Sequence, residues 1–288
     1  MLEQVQKLLN IPKIEQKTKE WYDARNNLIT ASDFAQALGH GKFGSQKQLI
    51  EKKVVIEEYK AIKNIFFEWG NLFEQVACDV YSYMKKVHVN EFGLIRHPVH
   101  SFFGASPDGI TDDGIMLEIK CPFKRKITGD IPLQYYYQIQ GQLDVCELNE
   151  CDYFECEFLK FTDYDEYKAA YKGGKYTGSI IEKPNKGNIY SKVYIDLCEI
   201  NDNGNSNEKT VYWILEKYFL KRVIKDESFI KEKLLQLEKV WNKILYYREN
   251  PEKFKMEIKK SIIIDTISYS TPKKALDEPN VCMIVDLD

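Results

Sequence analysis

Residues 104–122 read Gly-Ala-Ser-Pro-Asp-Gly-Ile-Thr-Asp-Asp-Gly-Ile-Met-Leu-Glu-Ile-Lys-Cys-Pro. The run from Ile115 to Cys121 is β-prone and bounded by Gly114 and Pro122, which predicts a short strand. A side-chain period of two puts Glu118 and Lys120 on one face of it and Leu117 and Ile119 on the other. Asp108 ends the preceding β-prone segment, and the turn over 111–114 is long enough to return it beside Glu118. Two carboxylates and a lysine then converge on one point. That trio suits phosphodiester hydrolysis. Hard Mg²⁺ or Mn²⁺ takes carboxylate oxygens, and two such ions can hold the attacking water and the leaving oxygen. A lysine beside them can position or activate the water, or neutralise charge in the transition state. The same residues on a surface hairpin would be an ordinary Glu–Lys pair, so the rest of the chain has to decide.

Upstream, the first 60 residues read as helices broken by Pro12 and by the loop 39–44. Thr30 and Ser32 are both N-cap residues by type, ahead of the apolar face Phe34, Ala35 and Leu38. A helix is predicted over about 66–86, with Trp69, Phe73, Val76, Ala77, Val80 and Met84 at helical spacing. Short strands are predicted at 92–96, 101–105 and 115–121, then at 153–161 and 190–200. Pro132 is read as the first residue of a helix to Cys146. Gln134, Gln138 and Gln142 line one face of that helix, and Gln140 falls on another. Residues 211–250 read as helical, ended by Pro251. Residues 173–174, 184–188 and 201–207 read as loops, and 261–270 as an extra strand pair or a docking tail. The fold class expected is α/β (α+β), a central mixed sheet flanked by helices.

The 288 residues are enough for one large domain with its own core, and 19 Tyr, 15 Phe and 4 Trp exclude a solvated, disordered chain. No apolar run reaches the roughly 18 residues of a membrane span, and the N-terminus has no apolar signal core, so an intracellular, membrane-free protein is expected. Seven cysteines lack the paired spacing of a zinc site and are read as free thiols in a reducing compartment. The net charge of −3 argues weakly against a nucleic-acid coat. Its distribution is more telling. Residues 1–66 hold eleven Lys/Arg against eight Asp/Glu, and 221–260 hold twelve against seven. Basic flanks around an acidic centre can bind a polyanion and hold metal between. His88, His97 and His100 are read as structural. Gly39-x-Gly41-x-x-Gly44 follows no strand and is a helix-ending loop, not a dinucleotide fingerprint.

Pro107-Asp108 with Glu118-x-Lys120, and above all Glu-Ile-Lys-Cys-Pro-Phe at 118–123, resemble the phage-lambda-type exonucleases. These are alkaline nucleases of the PD-(D/E)xK superfamily, found in phages and large DNA viruses. The resemblance covers roughly residues 15–250. It implies a nuclease domain over 1–250 with a restriction-endonuclease-like core, and leaves 251–288 as an extension of unknown role. Trp69-Gly70-Asn-Leu-Phe-Glu74 is similar to the family helix whose glutamate reaches the metal site. Gln138 best matches the glutamine that orients water or phosphate. Trp21 to Ser32 resembles the block whose arginine and serine, here Arg25 and Ser32, hold a terminal 5′-phosphate, with Ser106 completing that pocket. The chemistry stands without the analogy: Arg25 offers a planar fork, and Ser32 sits at a helix N-terminus that favours an anion.

The resemblance implies a metal-dependent deoxyribonuclease that degrades double-stranded DNA 5′→3′ from phosphorylated ends. The 3′ overhangs would serve recombination, repair or viral genome processing. Asp108 and Glu118 would bind Mg²⁺, with Mn²⁺ as substitute and two ions in all. The Ile119 carbonyl is an added ligand, and Glu74 acts directly or through water. Lys120 would activate the water. Lys124, Arg125 and Lys126 either track the DNA backbone or form a solvated loop. A ring-shaped homotrimer and a single-strand annealing protein as partner are also implied. The rivals are an endonuclease or single-strand-specific enzyme of the same superfamily, or a catalytically idle DNA-binding or packaging factor.

Overall fold

A computed structural model describes residues 1–14, 18–56, 64–183, 187–197 and 209–257. It divides into two compact units, Met1–Ile244 and Leu245–Asp288. In the first, α1 (Glu3–Leu9), α2 (Lys19–Asn26), β1 (Ile29–Thr30), α3 (Phe34–Ala37) and α4 (Gln46–Val54) lead to the long α5 (Ile65–Lys85). Then come β2 (Val89–Asn90), β3 (Ile95–Arg96), β4 (Phe103–Ala105), β5 (Gly109–Thr111) and β6 (Ile115–Lys120). The rest is α6 (Leu133–Val145), β7 (Glu150–Phe161), α7 (Tyr164–Ala170), β8 (Thr177–Glu182), β9 (Ile189–Tyr190), β10 (Lys209–Ile224) and α8 (Glu227–Glu249).

The main sheet is mixed, in the order β2-β5-β6-β7-β10-β8-β9; a smaller one has the order β1-β4-β3. Only β6 and β7 are parallel in the main sheet, with Glu118 beside Tyr153 and Lys120 beside Glu155. α5 starts where the Asn64 side chain accepts a hydrogen bond from the Phe66 N–H (2.9 Å) and stops at Lys86, whose φ of 56° is left-handed. Between, Leu72, Phe73, Val76, Ala77, Val80 and Tyr81 are buried. They share a core with Leu117, Ile119, Phe154, Cys156 and Trp213 from one face of the sheet. The α5 helix therefore covers the sheet face opposite Glu118 and Lys120, and burying each such side chain is worth about 1.5–3 kcal/mol.

The predicted helix over 211–250 is corrected over 211–224, which belong to the sixteen-residue strand β10. Its buried run Val211–Leu215 is rich in β-branched and aromatic residues, and long pairing with β7 settles an otherwise ambiguous apolar stretch. The helix starts only after Asp226, whose side chain accepts from the Phe229 N–H (2.9 Å). Residues 190–200 do not form the expected strand: β9 ends at Tyr190, Tyr194 makes one isolated bridge to Thr177, and 198–200 lie outside the described residues. Pro132 is the N-cap of α6 rather than its first residue. The readings for 201–207 and 261–270 also fall outside the described residues, as do Cys198 and Cys282. Cys78, Cys121, Cys146, Cys151 and Cys156 are free thiols.

α6 packs on β4 and on the 3₁₀ turn Ala31–Asp33 through Gly141. A Cβ there would lie 2.8 Å from Phe103 Cζ and 3.0 Å from Phe34 Cδ1. Alanine normally improves a helix interior by about 1 kcal/mol, but overpacking costs about 1–3 kcal/mol. Gly141→Ala is therefore expected to lower the thermal midpoint, read by circular dichroism.

In the second unit, residues 251–257 are helical, so Pro251 opens a new helical turn as well as following α8. The Tyr247 and Phe254 rings pack there with centroids 5.2 Å apart. Among the described residues no helix is long and apolar enough to cross a membrane.

Candidate active site

β5 and β6 run antiparallel with Gly109 opposite Leu117. One step further along that register, Asp108 faces Glu118. The Asp108 Oδ2 accepts the Ile119 backbone N–H at 2.7 Å, which pins the carboxylate to the strand. Glu118 is fully buried; its Oε1 is bonded by the Lys120 ammonium, while its Oε2 has no hydrogen-bond partner. The sequence-read convergence of Asp108, Glu118 and Lys120 is thus a feature of the fold.

Beside Asp108 lies a cavity of about 420 Å³, walled by Asn71, Glu74, Gln75 and Cys78 of α5 and by Pro107, Asp108 and Ile119. The helical spacing 71, 74, 75, 78 sets these side chains on one face. Glu74 is close enough to act on Asp108. Burial, then the Glu118 and Glu74 charges, raise the Asp108 carboxyl well above its ordinary value, against the opposing pull of Lys120 and the Ile119 N–H. Burial also works against the charge on Lys120, but Glu118 and Asp108 outweigh it and hold the lysine firmly as an ammonium.

Crowded carboxylates and an orphaned buried oxygen are what a divalent cation would relieve. Among the described residues no three His, Cys, Asp or Glu side chains are already gathered as a ligand set. Mg²⁺ does not require that, since it keeps several waters and binds through one or two carboxylates. Asp108 and Glu118 fit that demand, and Glu74 lines the cavity together with Asp108.

The four glutamines of α6 have different surroundings. Gln134 accepts from the Lys42 backbone N–H (3.2 Å), and Gln142 is buried with its Oε1 unpartnered. Gln138, between them, is half-buried and makes no hydrogen bond to Asp108, Glu118 or Lys120. Gln140 binds the β10–α8 junction, donating to the Ile224 carbonyl (2.8 Å) and accepting from the Asp226 N–H (2.7 Å). Lys124 and Lys126 are exposed, but Arg125 turns inward to an ion pair with fully buried Glu155. As a free backbone-tracking cation Arg125 is therefore corrected: a buried carboxylate needs it. Glu155 was missed because it is one of three glutamates in β7 and no motif spacing sets it apart from Glu150 and Glu157. His97 is held by Asp144 (Nε2 to Oδ2, 2.9 Å) and by the Val99 and His100 N–H groups on Nδ1, consistent with a structural role.

A second cluster forms where α2 meets β1. Arg25 donates to Ser32 Oγ (3.2 Å) and Thr30 Oγ1 (3.4 Å), and its guanidinium sits 4.3 Å from the centre of the Trp21 ring. Lys53, almost fully buried, binds the Arg25 carbonyl (2.8 Å) and Asp33 (3.2 Å). Thr30 and Asp33 close a capping box, so Thr30 rather than Ser32 is the N-cap and the Ser32 hydroxyl faces Arg25. Burial, only partly offset by Asp33 and Tyr22, lowers the Arg25 guanidinium from its usual value. It is a cation short of counter-charge. The parallel pairing of Thr30 with Gly104 brings the start of this turn and Ser106 to the same end of the small sheet. The Ser106 Oγ is buried without a hydrogen-bond partner.

Both clusters lie in a stretch with a known counterpart. Residues 20–149 match the YqaJ-like viral recombinase domain. That match takes in Arg25, Ser32, Glu74, Asp108, Glu118, Lys120 and Gln138 and stops short of Glu155. An uncharacterized protein of Acanthamoeba polyphaga mimivirus is 28% identical over 86% of this chain and 56% of its own length. A protein of African swine fever virus is 26% identical over 45% of this chain and 46% of its own. The chain thus spans about half the length of the curated relatives it matches. Among solved structures, an alkaline exonuclease from Laribacter hongkongensis superposes with a TM-score of 0.56 at 22% identity, covering 84% of this chain and all of that one. The same exonuclease in complex with dAMP gives 0.55 at 21%. The chain therefore has the fold of the alkaline exonucleases, as the resemblance of its motifs implied.

Proposed function

We propose that this chain is a metal-dependent deoxyribonuclease that shortens double-stranded DNA from 5′-phosphorylated ends, moving 5′→3′ and leaving 3′ overhangs. The observation that carries the reading is the meeting of Asp108, Glu118 and Lys120 on adjacent strands, in a fold shared with alkaline exonucleases. Asp108 and Glu118 would hold Mg²⁺ or Mn²⁺, with the Ile119 carbonyl and Glu74 as further oxygen donors for two ions, and the metal would supply positive charge for the attacking and leaving oxygens. Lys120 acts as a charged donor: it orients the water and offsets charge on the phosphate in the transition state. Gln138 orients the water or the scissile phosphate from α6. The cavity beside Asp108 gives the terminal nucleotide room next to the reacting bond.

The Arg25–Ser32 pair, with Ser106, takes the terminal 5′-phosphate. Its chemistry favours a doubly charged monoester, because the guanidinium and the adjacent hydroxyl (3.2 Å) present several donors side by side. Exposed Lys124 and Lys126 contribute backbone contacts. A trimeric ring and a single-strand annealing partner complete the reading by resemblance. Wild-type protein is expected to degrade 5′-phosphorylated duplex faster than 5′-hydroxyl duplex. Arg25→Ala is expected to erase that preference, losing about 1.5–3 kcal/mol of charge-assisted binding, measured by digestion of both duplexes side by side. Equal rates on the two ends by the wild type would remove the phosphate pocket from the account.

A further inference from the structure

The sheet face that carries Glu118 and Lys120 continues onto β7. Glu118 pairs with Tyr153 and Lys120 with Glu155, so four side chains make a two-by-two patch on one face. Glu155 is fully buried. Its Oε2 accepts from the Tyr153 hydroxyl (3.2 Å), and its Oε1 faces the Arg125 guanidinium as an ion pair without a hydrogen bond of regular geometry. Such a buried pair rarely adds stability over apolar residues of the same size. The loop after β6 also has another tie, from Lys217 Nζ to the Ile127 carbonyl (3.2 Å).

Tyr135 of α6 connects this pair to the lysine. Its ring stacks on Tyr153 with centroids 6.1 Å apart and planes 29° off parallel. The same ring lies 5.0 Å from Lys120 Nζ and 5.5 Å from Arg125 Cζ. Lys120 is thus bracketed by the Glu118 carboxylate and by a ring whose two neighbours, Tyr153 and Arg125, are both held by Glu155. A lysine has four rotatable bonds, and a misplacement of about 1 Å in a reacting group costs about a hundredfold in rate.

We propose that Glu155 is a positioning residue for Lys120: its buried carboxylate locks Tyr153 and Arg125, which together hold the Tyr135 ring against the lysine ammonium. The inference rests on the role given to Lys120 above and extends the site beyond residue 149.

The test uses the full chain, Mg²⁺ and 5′-phosphorylated duplex, with kcat normalised to the folded fraction from circular dichroism. Glu155→Gln is expected to lower kcat about tenfold or more with KM nearly unchanged, because it alters placement and not binding. Glu155→Asp is expected to recover part of the loss. The double variant Glu155→Gln with Arg125→Gln leaves no lone buried charge, so it folds even if the single variant does not. It is expected to be slow too, but no slower than the worse single variant. A folded Glu155→Gln protein, or a folded double variant, with wild-type kcat would overturn the proposal. So would a loss that tracks only the folded fraction. If the wild type itself shows no Mg²⁺-dependent cleavage, the nuclease reading falls and this inference with it; if the wild type cleaves and the Glu155 variants do so equally well, only this inference falls.

Discussion

Lys120→Ala is expected to slow phosphodiester cleavage by about 10²–10³-fold or more, the range for removing one preorganised charge stabiliser. Among the described residues the lysine is the cation bonded to Glu118, and both carboxylates hold it charged. Under the proposed mechanism its loss removes the donor to the reacting phosphate, and it leaves Glu118 Oε1 without the Lys120 ammonium. Duplex binding is expected to persist, because Arg25, Lys124 and Lys126 lie elsewhere on the chain. The measurement is single-turnover digestion beside a gel-shift titration and a far-ultraviolet spectrum of the same sample. A folded, DNA-binding variant with full activity would remove Lys120 from the mechanism. Lys120→Arg keeps the charge but changes its shape, and is expected to recover little, since a planar fork does not occupy the place of a compact ammonium.

Asp33→Asn is expected to cost up to about 3–5 kcal/mol of stability, the range for removing one partner of a buried ion pair. Lys53 is 2% exposed and bonds Asp33 at 3.2 Å. Arg25 also depends on Asp33 for counter-charge, so the phosphate cluster loosens with the fold. The same cluster fixes an acid limit. Burial alone would raise the Asp33 carboxyl, but Lys53, Arg25 and Lys52, with the Thr30 hydroxyl, bring it from 3.8 down to about 2. A depressed folded value means the stabilisation is fully present above the unfolded value near 3.8 and is lost as pH falls toward 2. The linked contribution is about 2 kcal/mol. Urea midpoints between pH 5 and pH 2 are expected to fall steeply in the wild type and to flatten over that window in Asp33→Asn. Equal slopes would show that Asp33 is not the group responsible.

The trio was legible in the sequence because a strand has a period of two and the intervening turn is short. Those two constraints alone bring Asp108, Glu118 and Lys120 together. Of the cavity wall on α5, Glu74 was flagged through the family resemblance, whereas Asn71, Gln75 and Cys78 belong to no motif and join it only in the folded structure. Glu155 was not legible, because its role depends on β6 and β7 lying parallel in one register, with 34 residues separating Lys120 from its cross-strand partner. Arg125 looked like a DNA contact since charge runs usually face solvent; only tertiary pairing shows that its middle member turns inward. β10 was read as helix because a fully buried apolar run has no period to expose. The net charge of −3 was the least informative number, averaging an acidic centre with basic flanks.

The central claim is that this chain hydrolyses linear duplex DNA from its 5′ ends with a divalent ion. It is tested most directly by incubating the protein with 5′-labelled linear duplex and with covalently closed circular duplex, each with Mg²⁺ and with chelator. The account predicts early release of the 5′ label from the linear substrate, only with Mg²⁺, and an untouched circle. Cutting of the circle at a comparable rate, release first from the 3′ end, or activity that survives the chelator would contradict it.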